Sequence, residues 1–412
     1  MTARFLIGDV FDGLATLADE SVDLVFSSPP FLALRSYLPA DHPDKPREIG
    51  SEATPAEFLD RLLDVVEACD RVLAPHGTLC FELGDTYSGS GGAGGDYLNA
   101  GMRDGQPRFD GSAARARADG GAEFASAARR GRLTTYADAR GNPDGMRDST
   151  FSGANTRTGG GPGWPEAKSL CMIPQSFAWA IAYGRNPFTG RETPRWRVRN
   201  LVAWCRPNPP VGALGDKFRP ATSYLTVACK AKDRYFDLDA VRDPAPPLDF
   251  WVIPTEPYEG SHYAAFPRAL VVKPVKAMCP RRVCTVCGEP SRRIVGEAEY
   301  DRTDTDRVPA RLAMTDGARV ADGVNQHRTR DGANPSVVRN APTLGWTDCG
   351  HDAWRAGCVL DPFVGSGTTL AVATGHGLDA IGIDIDERNA QLALERVGPM
   401  LLEIVSLSEG AA

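Results

Sequence analysis

The sequence predicts an α/β protein, a Rossmann-like open sheet with helices on both faces and loop-rich insertions. Three observations predict it. Short apolar runs of strand type alternate with segments of helical spacing. Near the C-terminus a glycine turn, Asp361-Pro362-Phe363-Val364-Gly365-Ser366-Gly367-Thr368-Thr369, is wedged between the strand Cys358-Val359-Leu360 and the helix-like Leu370-Ala371-Val372-Ala373. A further strand, Ala380-Ile381-Gly382-Ile383, ends in an acid, Asp384, nineteen residues past Gly365.

Taken in order, Phe5-Leu6-Ile7 reads as a strand ending in the turn Gly8-Asp9, and Asp12 to Ala18 as a helix with Leu14, Leu17 and Ala18 on one face. Val22-Asp23-Leu24-Val25-Phe26 is the next strand, and it runs into Ser27-Ser28-Pro29-Pro30-Phe31. Phe58 to Leu73 forms an amphipathic helix stopped by Pro75-His76-Gly77, and Leu79 to Asp85 a buried strand. Residues 88–165 hold eighteen glycines, ten arginines and no lysine, too little apolar material for a core, so a solvated, mobile insertion is expected. A helix follows through Phe177, Ala178, Ile181 and Ala182, then a basic strand from Trp196 to Trp204 broken by Arg206-Pro207-Asn208-Pro209-Pro210. Tyr224 to Lys230 and Tyr235-Phe236 read as a closing hairpin.

The glycine turn reads as a ligand cradle. Glycines permit positive φ and close backbone approach, and a helix N-terminus offers unpaired N–H groups. An acid at the end of the second strand of such a βαβ unit reaches ribose hydroxyls. A phosphate-binding P-loop needs a Lys where Thr368 stands, and a dinucleotide site a third glycine where Leu370 stands. An adenosine ligand without pyrophosphate remains, and S-adenosylmethionine fits: Asp361 faces its ammonium group, the loop amides its carboxylate. The expected donor-binding residues are Asp9, Asp361, Phe363, Gly365, Ser366, Gly367, Thr368 and Asp384.

The Ser28-Pro29-Pro30-Phe31 stretch places a hydroxyl, a rigid carbonyl and an aromatic ring at a strand's carboxyl end, a set suited to a planar amine. It resembles the catalytic motif of the DNA amino-methyltransferases that act on cytosine N4 or adenine N6. Arg206-Pro207-Asn208-Pro209 and the aromatic stretch Tyr235-Phe236-Asp237 resemble that family's succession beside the flipped base, and His262 with Phe266-Pro267 resembles the segment that packs on the donor's methionine end. The catalytic motif precedes the donor motif, the order of the permuted β-group. The resemblance implies a circularly permuted S-adenosylmethionine-dependent methyltransferase in which Ser28, Pro29, Pro30 and Phe31 are catalytic, double-stranded DNA is the substrate and a restriction endonuclease is a companion. A serine at the first motif position implies cytosine N4; adenine N6, RNA methylation and a non-catalytic zinc-containing DNA-binding module are the rival readings.

Net charge is −7, yet residues 185–234 carry eleven Lys/Arg against three acids, while residues 1–85 carry sixteen acids against six bases. One positive face on an acidic body suits a phosphate-gripping protein as well as a solvated loop. Cys284-Thr285-Val286-Cys287-Gly288 is a knuckle-type pair, and Cys349 with His351 completes a tetrahedral zinc set, with Cys279 a competing ligand. Cys69, Cys80, Cys171, Cys205, Cys229 and Cys358 are expected as core thiols. No apolar stretch approaches membrane-span length, and a cytoplasmic location is expected. The expected organisation is a catalytic half (1–87), the Gly/Arg-rich insertion (88–167), the rest of the catalytic half with its basic DNA-facing region (168–275), a zinc-knuckle segment for target recognition (276–354) and a donor-binding half (355–412).

Overall fold

The computed structural model describes residues 1–33, 37–38, 41–88, 162–209, 217–242, 246–256, 266–301 and 338–407. β1 (Ala3–Ile7) leads to α1 (Val10–Ala15). The Asp9 side chain starts α1 by accepting from the Phe11 N–H at 2.9 Å, so this helix begins and ends earlier than the Asp12–Ala18 spacing predicts. β2 (Val22–Ser27) is buried along its whole length. α2 (Pro55–Val72) starts with Thr54, which accepts from Glu57 N–H, and with Pro55 in the first turn, where its missing N–H costs nothing. β3 (Leu73–Leu83) begins at the next residue and carries Pro75-His76-Gly77 at an irregularity in its pairing with β2.

α3 (Ile173–Tyr183) precedes the antiparallel pair β4 (Arg197–Cys205) and β5 (Thr222–Cys229). The short β6 (Phe250–Val252) and α4 (Arg268–Met278) follow. Six short strands come next: β7 (Arg282–Cys284), β8 (Arg293–Val295), β9 (Glu299–Asp301), β10 (Val338–Asn340), β11 (Thr343–Trp346) and β12 (Trp354–Ala356), paired antiparallel as β12–β7, β11–β8 and β10–β9. The chain closes with β13 (Cys358–Asp361), α5 (Thr368–Gly375), β14 (Asp379–Asp384), α6 (Arg388–Val397) and β15 (Leu402–Ser406).

One nine-stranded sheet runs in the order β15-β1-β14-β13-β2-β3-β5-β4-β6. The strands from β15 to β3 are mutually parallel, and β5 is antiparallel to both neighbours. The expected Tyr235–Phe236 hairpin strand does not form. Both edges of β5 are already hydrogen-bonded, to β3 and β4, so no ladder is left for it, and Tyr235 is instead buried with its N–H on the His76 carbonyl at 2.8 Å.

Alternation along β2 divides the core between the two faces. Val25 joins a cluster with α2 and α3, while Leu24 and Phe26 join one with α4 and α5; Val22, before the irregularity in the β2–β3 pairing, joins the first cluster. A parallel sheet covered on both faces explains why its strands read as continuous apolar runs. The N-terminal β1 lies between the C-terminal β14 and β15, so the two ends of the chain share one sheet. Among the described residues no helix is long and apolar enough to cross a membrane.

Candidate active site

β13 and β2 are parallel neighbours, with Val359 opposite Leu24 and Leu360 opposite Val25. From β13 the chain continues to β14 on one side, and from β2 to β3 on the other. The crevice at their carboxyl ends is therefore the point where strand order reverses, the place where open α/β sheets bind ligands. The turn leaving β13 has Gly365 at φ 48° and Gly367 at φ 79°. A side chain at 367 would also bring its Cβ to 2.9 Å from that of Ala393, so both the conformation and the packing against α6 require glycine.

The turn is pinned from below by Asp361. Its Oδ1 accepts from the Ser27 hydroxyl at 2.5 Å and the Phe363 N–H at 3.1 Å, and its Oδ2 from the Thr369 hydroxyl at 2.6 Å. Burial pushes its pKa up to about 6 against these three hydrogen bonds. Asp361 is wholly buried and braces the two turns from inside the sheet.

Asp384, the last residue of β14, is only partly covered. Its Oδ2 accepts from the Gly365 N–H at 2.8 Å, and its Oδ1 from the Asp386 N–H at 2.8 Å and the Asn389 amide at 3.1 Å. Burial, and then the Asp386 carboxylate, push its pKa up to about 7. A carboxylate offers about four lone-pair sites, so room remains for a hydroxyl donor. Asp9 follows β1 on the adjoining strand, where the Gly8 N–H meets the Asp384 carbonyl at 2.9 Å; Arg47 holds the Asp9 carboxylate at 2.9 Å. Phe363 and Gly365 are partly exposed at the turn, while Ser366 and Thr368 are buried beneath it. This set fits an adenosine-bearing ligand: a ring-sized aromatic at the turn and a partly open acid at the end of the next strand.

On the β2 side, Pro29 is buried and Ser28 and Phe31 are partly open. Ser28 donates its hydroxyl proton to Glu82 Oε2 at 2.6 Å. Glu82 lies near the end of β3, is 2% exposed, and has its pKa raised by burial against the influence of Ser223, Ser28 and the Arg206 charge. Phe31 lies over Gly84, where a Cβ would meet its ring at 2.6 Å, so the glycine makes room for the aromatic side of the site. Phe266 packs edge-on against Phe26, directly before the two serines, with ring centroids 5.6 Å apart. His262 lies outside the described residues.

The profile of the N6/N4 family, described as DNA methylase, matches residues 22–282 and 355–395. The chain belongs to this DNA methylase family. It is 23% identical over 404 residues to the type II methyltransferase M.SmaI of Serratia marcescens, covering 96% of this chain and 91% of that one. With M.SfiI of Streptomyces fimbriatus it shares 23% identity over 452 residues, covering 92% and 87%. Among solved structures, the cytosine-N4-specific PvuII DNA methyltransferase superposes with a TM-score of 0.47 at 13% identity, covering 95% of this chain and 86% of that chain.

In this methyltransferase some groups that bond to the motif residues escaped the motif reading. Glu82 and Ser27 are two; a carboxylate inside the apolar run Leu79-Cys80-Phe81-Glu82-Leu83 was the visible signal for the first. Asp23 shows the same signal within its own apolar strand. It is fully buried and accepts from Arg355 at 2.6 and 3.0 Å, from the Cys358 N–H at 2.7 Å and from His76 Nε2 at 2.9 Å. Burial works to raise its pKa, but His76 and Arg355 outweigh it and hold the carboxyl below the ordinary value. This buried cluster fixes β12 to the strand that ends in Ser27.

The ligand atoms of Cys284, Cys287, Cys349 and His351 all lie within 4.8 Å of one another, so the structure assembles the expected four. Cys284 Sγ and His351 Nδ1 are 3.5 Å apart. Cys279 is not among them; it is buried, and its pKa is raised mainly by that burial. Of the other expected core thiols only Cys205 is partly open.

Proposed function

We propose that the chain transfers a methyl group from S-adenosylmethionine to N4 of a cytosine flipped out of double-stranded DNA. One observation carries the reading: the Ser27–Asp361 hydrogen bond of 2.5 Å ties the base of the amine motif to the base of the glycine turn, on neighbouring strands at the switch point. Donor-binding roles fall to Phe363, Gly365 and Asp384 in the crevice and to Asp9 beside them, with Ser366, Gly367 and Thr368 shaping the turn and His262 and Phe266 toward the methionine end.

The donor supplies an electrophilic methyl on a sulfonium. The protein's task is to make a poor nucleophile react, because the N4 lone pair is delocalised into the ring. Ser28 gives its own hydrogen to Glu82, which leaves the oxygen's lone pairs turned to accept an N4–H hydrogen. The Pro29 carbonyl accepts the second, and Phe31 stacks on the ring. Together they favour a tetrahedral nitrogen in line with the methyl. Once the new N–C bond forms, nitrogen loses a proton through Ser28 Oγ toward Glu82, whose raised pKa suits it to receive one.

Serine at position 28, where an adenine-N6 enzyme of this family usually has aspartate, supports cytosine. The type II description of M.SmaI and M.SfiI supports a companion restriction endonuclease. Three thiols and an imidazole within reach of one point, two of them in a knuckle turn, support a structural zinc ion. DNA methylated by the protein, digested to nucleosides and weighed, is expected to contain N4-methylcytosine; N6-methyladenine in its place would sink the cytosine assignment.

A further inference from the structure

The rim of the crevice carries one side chain that packing does not explain. Phe218 is 97% exposed, more than any other large apolar residue among those described. It stands between two cations, Lys217 and Arg219, immediately before β5. Because β5 runs antiparallel to β3, with Tyr224 opposite Leu83, the approach to β5 lies at the carboxyl edge of β3. Lys217 Nζ sits 3.5 Å from the ring centroid of Tyr87, four residues past Leu83, which fixes the Lys217-Phe218-Arg219 segment at that edge. The same edge holds Glu82 with its hydrogen bond to Ser28, and Gly84 beneath Phe31.

We propose that Phe218 is the wedge that enters the base stack of the duplex as the target base leaves it, with Lys217 and Arg219 gripping the flanking phosphates. The inference rests on the DNA-methylating reading of the site. A base that swings into a pocket leaves a gap one aromatic ring thick, and its two former neighbours lose their stacking partner. An inserted phenyl ring restores stacking on both sides and lowers the cost of the flipped state, as apolar wedges do in proteins that unstack a base step. Cations on either side of the ring draw the phosphates of that step toward it. An aromatic ring with this role must be bare in the free protein, positively flanked and at the sheet edge that holds the amine-binding residues; Phe218 is all three.

The test uses the full-length protein and two forms of one oligonucleotide duplex carrying its methylation site, identified beforehand by single-molecule sequencing of methylated plasmid. In one form the target base is paired, and in the other it faces an abasic position and is already loosened. Phe218→Ala is expected to lower kcat/KM on the paired duplex by on the order of 10- to 100-fold, the rate equivalent of one base–aromatic stacking interaction, and to stay within about 3-fold of wild type on the abasic duplex. Phe218→Trp is expected to retain activity on both. Equal rates for wild type and Phe218→Ala on the paired duplex overturn the wedge, as does an equal loss on both duplexes. If the wild type methylates neither plasmid nor duplex, the parent reading falls and takes this one with it.

Discussion

The Ser28 hydroxyl has one hydrogen, and Glu82 takes it. That allocation leaves the serine oxygen's lone pairs to accept, which is the role proposed for it toward an amine, so the two residues are tested as a unit. Ser28→Ala is expected to lower kcat by on the order of 100-fold with little change in donor affinity. Glu82→Gln keeps the shape but offers an N–H that competes with the serine, and is expected to lower kcat by more than about 10-fold; donor titration alongside turnover checks both. Asp361 has a different signature. Its folded-state pKa of about 6 lies above the ordinary 3.8, so the neutral form is favoured and the stability it contributes is complete below about pH 4 and lost as pH rises through 6. Asparagine there does not titrate. The stability advantage of wild type over Asp361→Asn is therefore expected to shrink by about 2 kcal/mol between pH 4 and pH 7, read by denaturant melts at each pH. The Asp361 carboxylate was legible as important, yet its orientation was not: a turn motif names the residue but does not say whether the side chain points into the crevice or down among Ser27 and Thr369.

One side chain ties the strand beside Cys284 to the strand that carries Ser27. Arg355 leaves β12, whose residue Trp354 pairs with Cys284, and reaches the buried Asp23 of β2. Cutting this pair on one side strands a buried charge, and Arg355→Ala is expected to cost about 3–5 kcal/mol in unfolding free energy. Metal analysis is expected to give one zinc per chain. Cys287→Ser lowers that occupancy, and chelation lowers the thermal midpoint, because a closed thiolate–imidazole site contributes folding free energy directly. The Cys284–Cys287 pair was readable in the sequence because its spacing is local. The Arg355–Asp23 pair was not, since its partners are separated by 332 residues and nothing local ties them.

At the level of the whole molecule, the sheet brings the amine motif and the donor motif together although the chain separates them by more than three hundred residues. Elsewhere it holds residues on either side of 89–161 in contact. Ser88 donates its hydroxyl to the Pro165 carbonyl at 2.7 Å, and its backbone pairs with Lys168 and Ser169. Replacing residues 92–158 by a short Gly/Ser linker is therefore expected to leave the thermal midpoint within a few degrees of wild type, since loop-closure entropy changes only slowly with length. By itself the sequence determined the alternation of strands and helices, the glycine turn, the Ser-Pro-Pro-Phe stretch and the Cys284–Cys287 knuckle, because each is set by local dihedral preference, periodicity or spacing. Only the tertiary structure decided that β5 spends both edges on β3 and β4, that Glu82 backs Ser28, that Asp361 faces inward and that Phe218 stands bare beside the crevice. Those outcomes depend on which distant groups compete for the same hydrogen bond or the same buried volume, and that competition exists only once the sheet has formed.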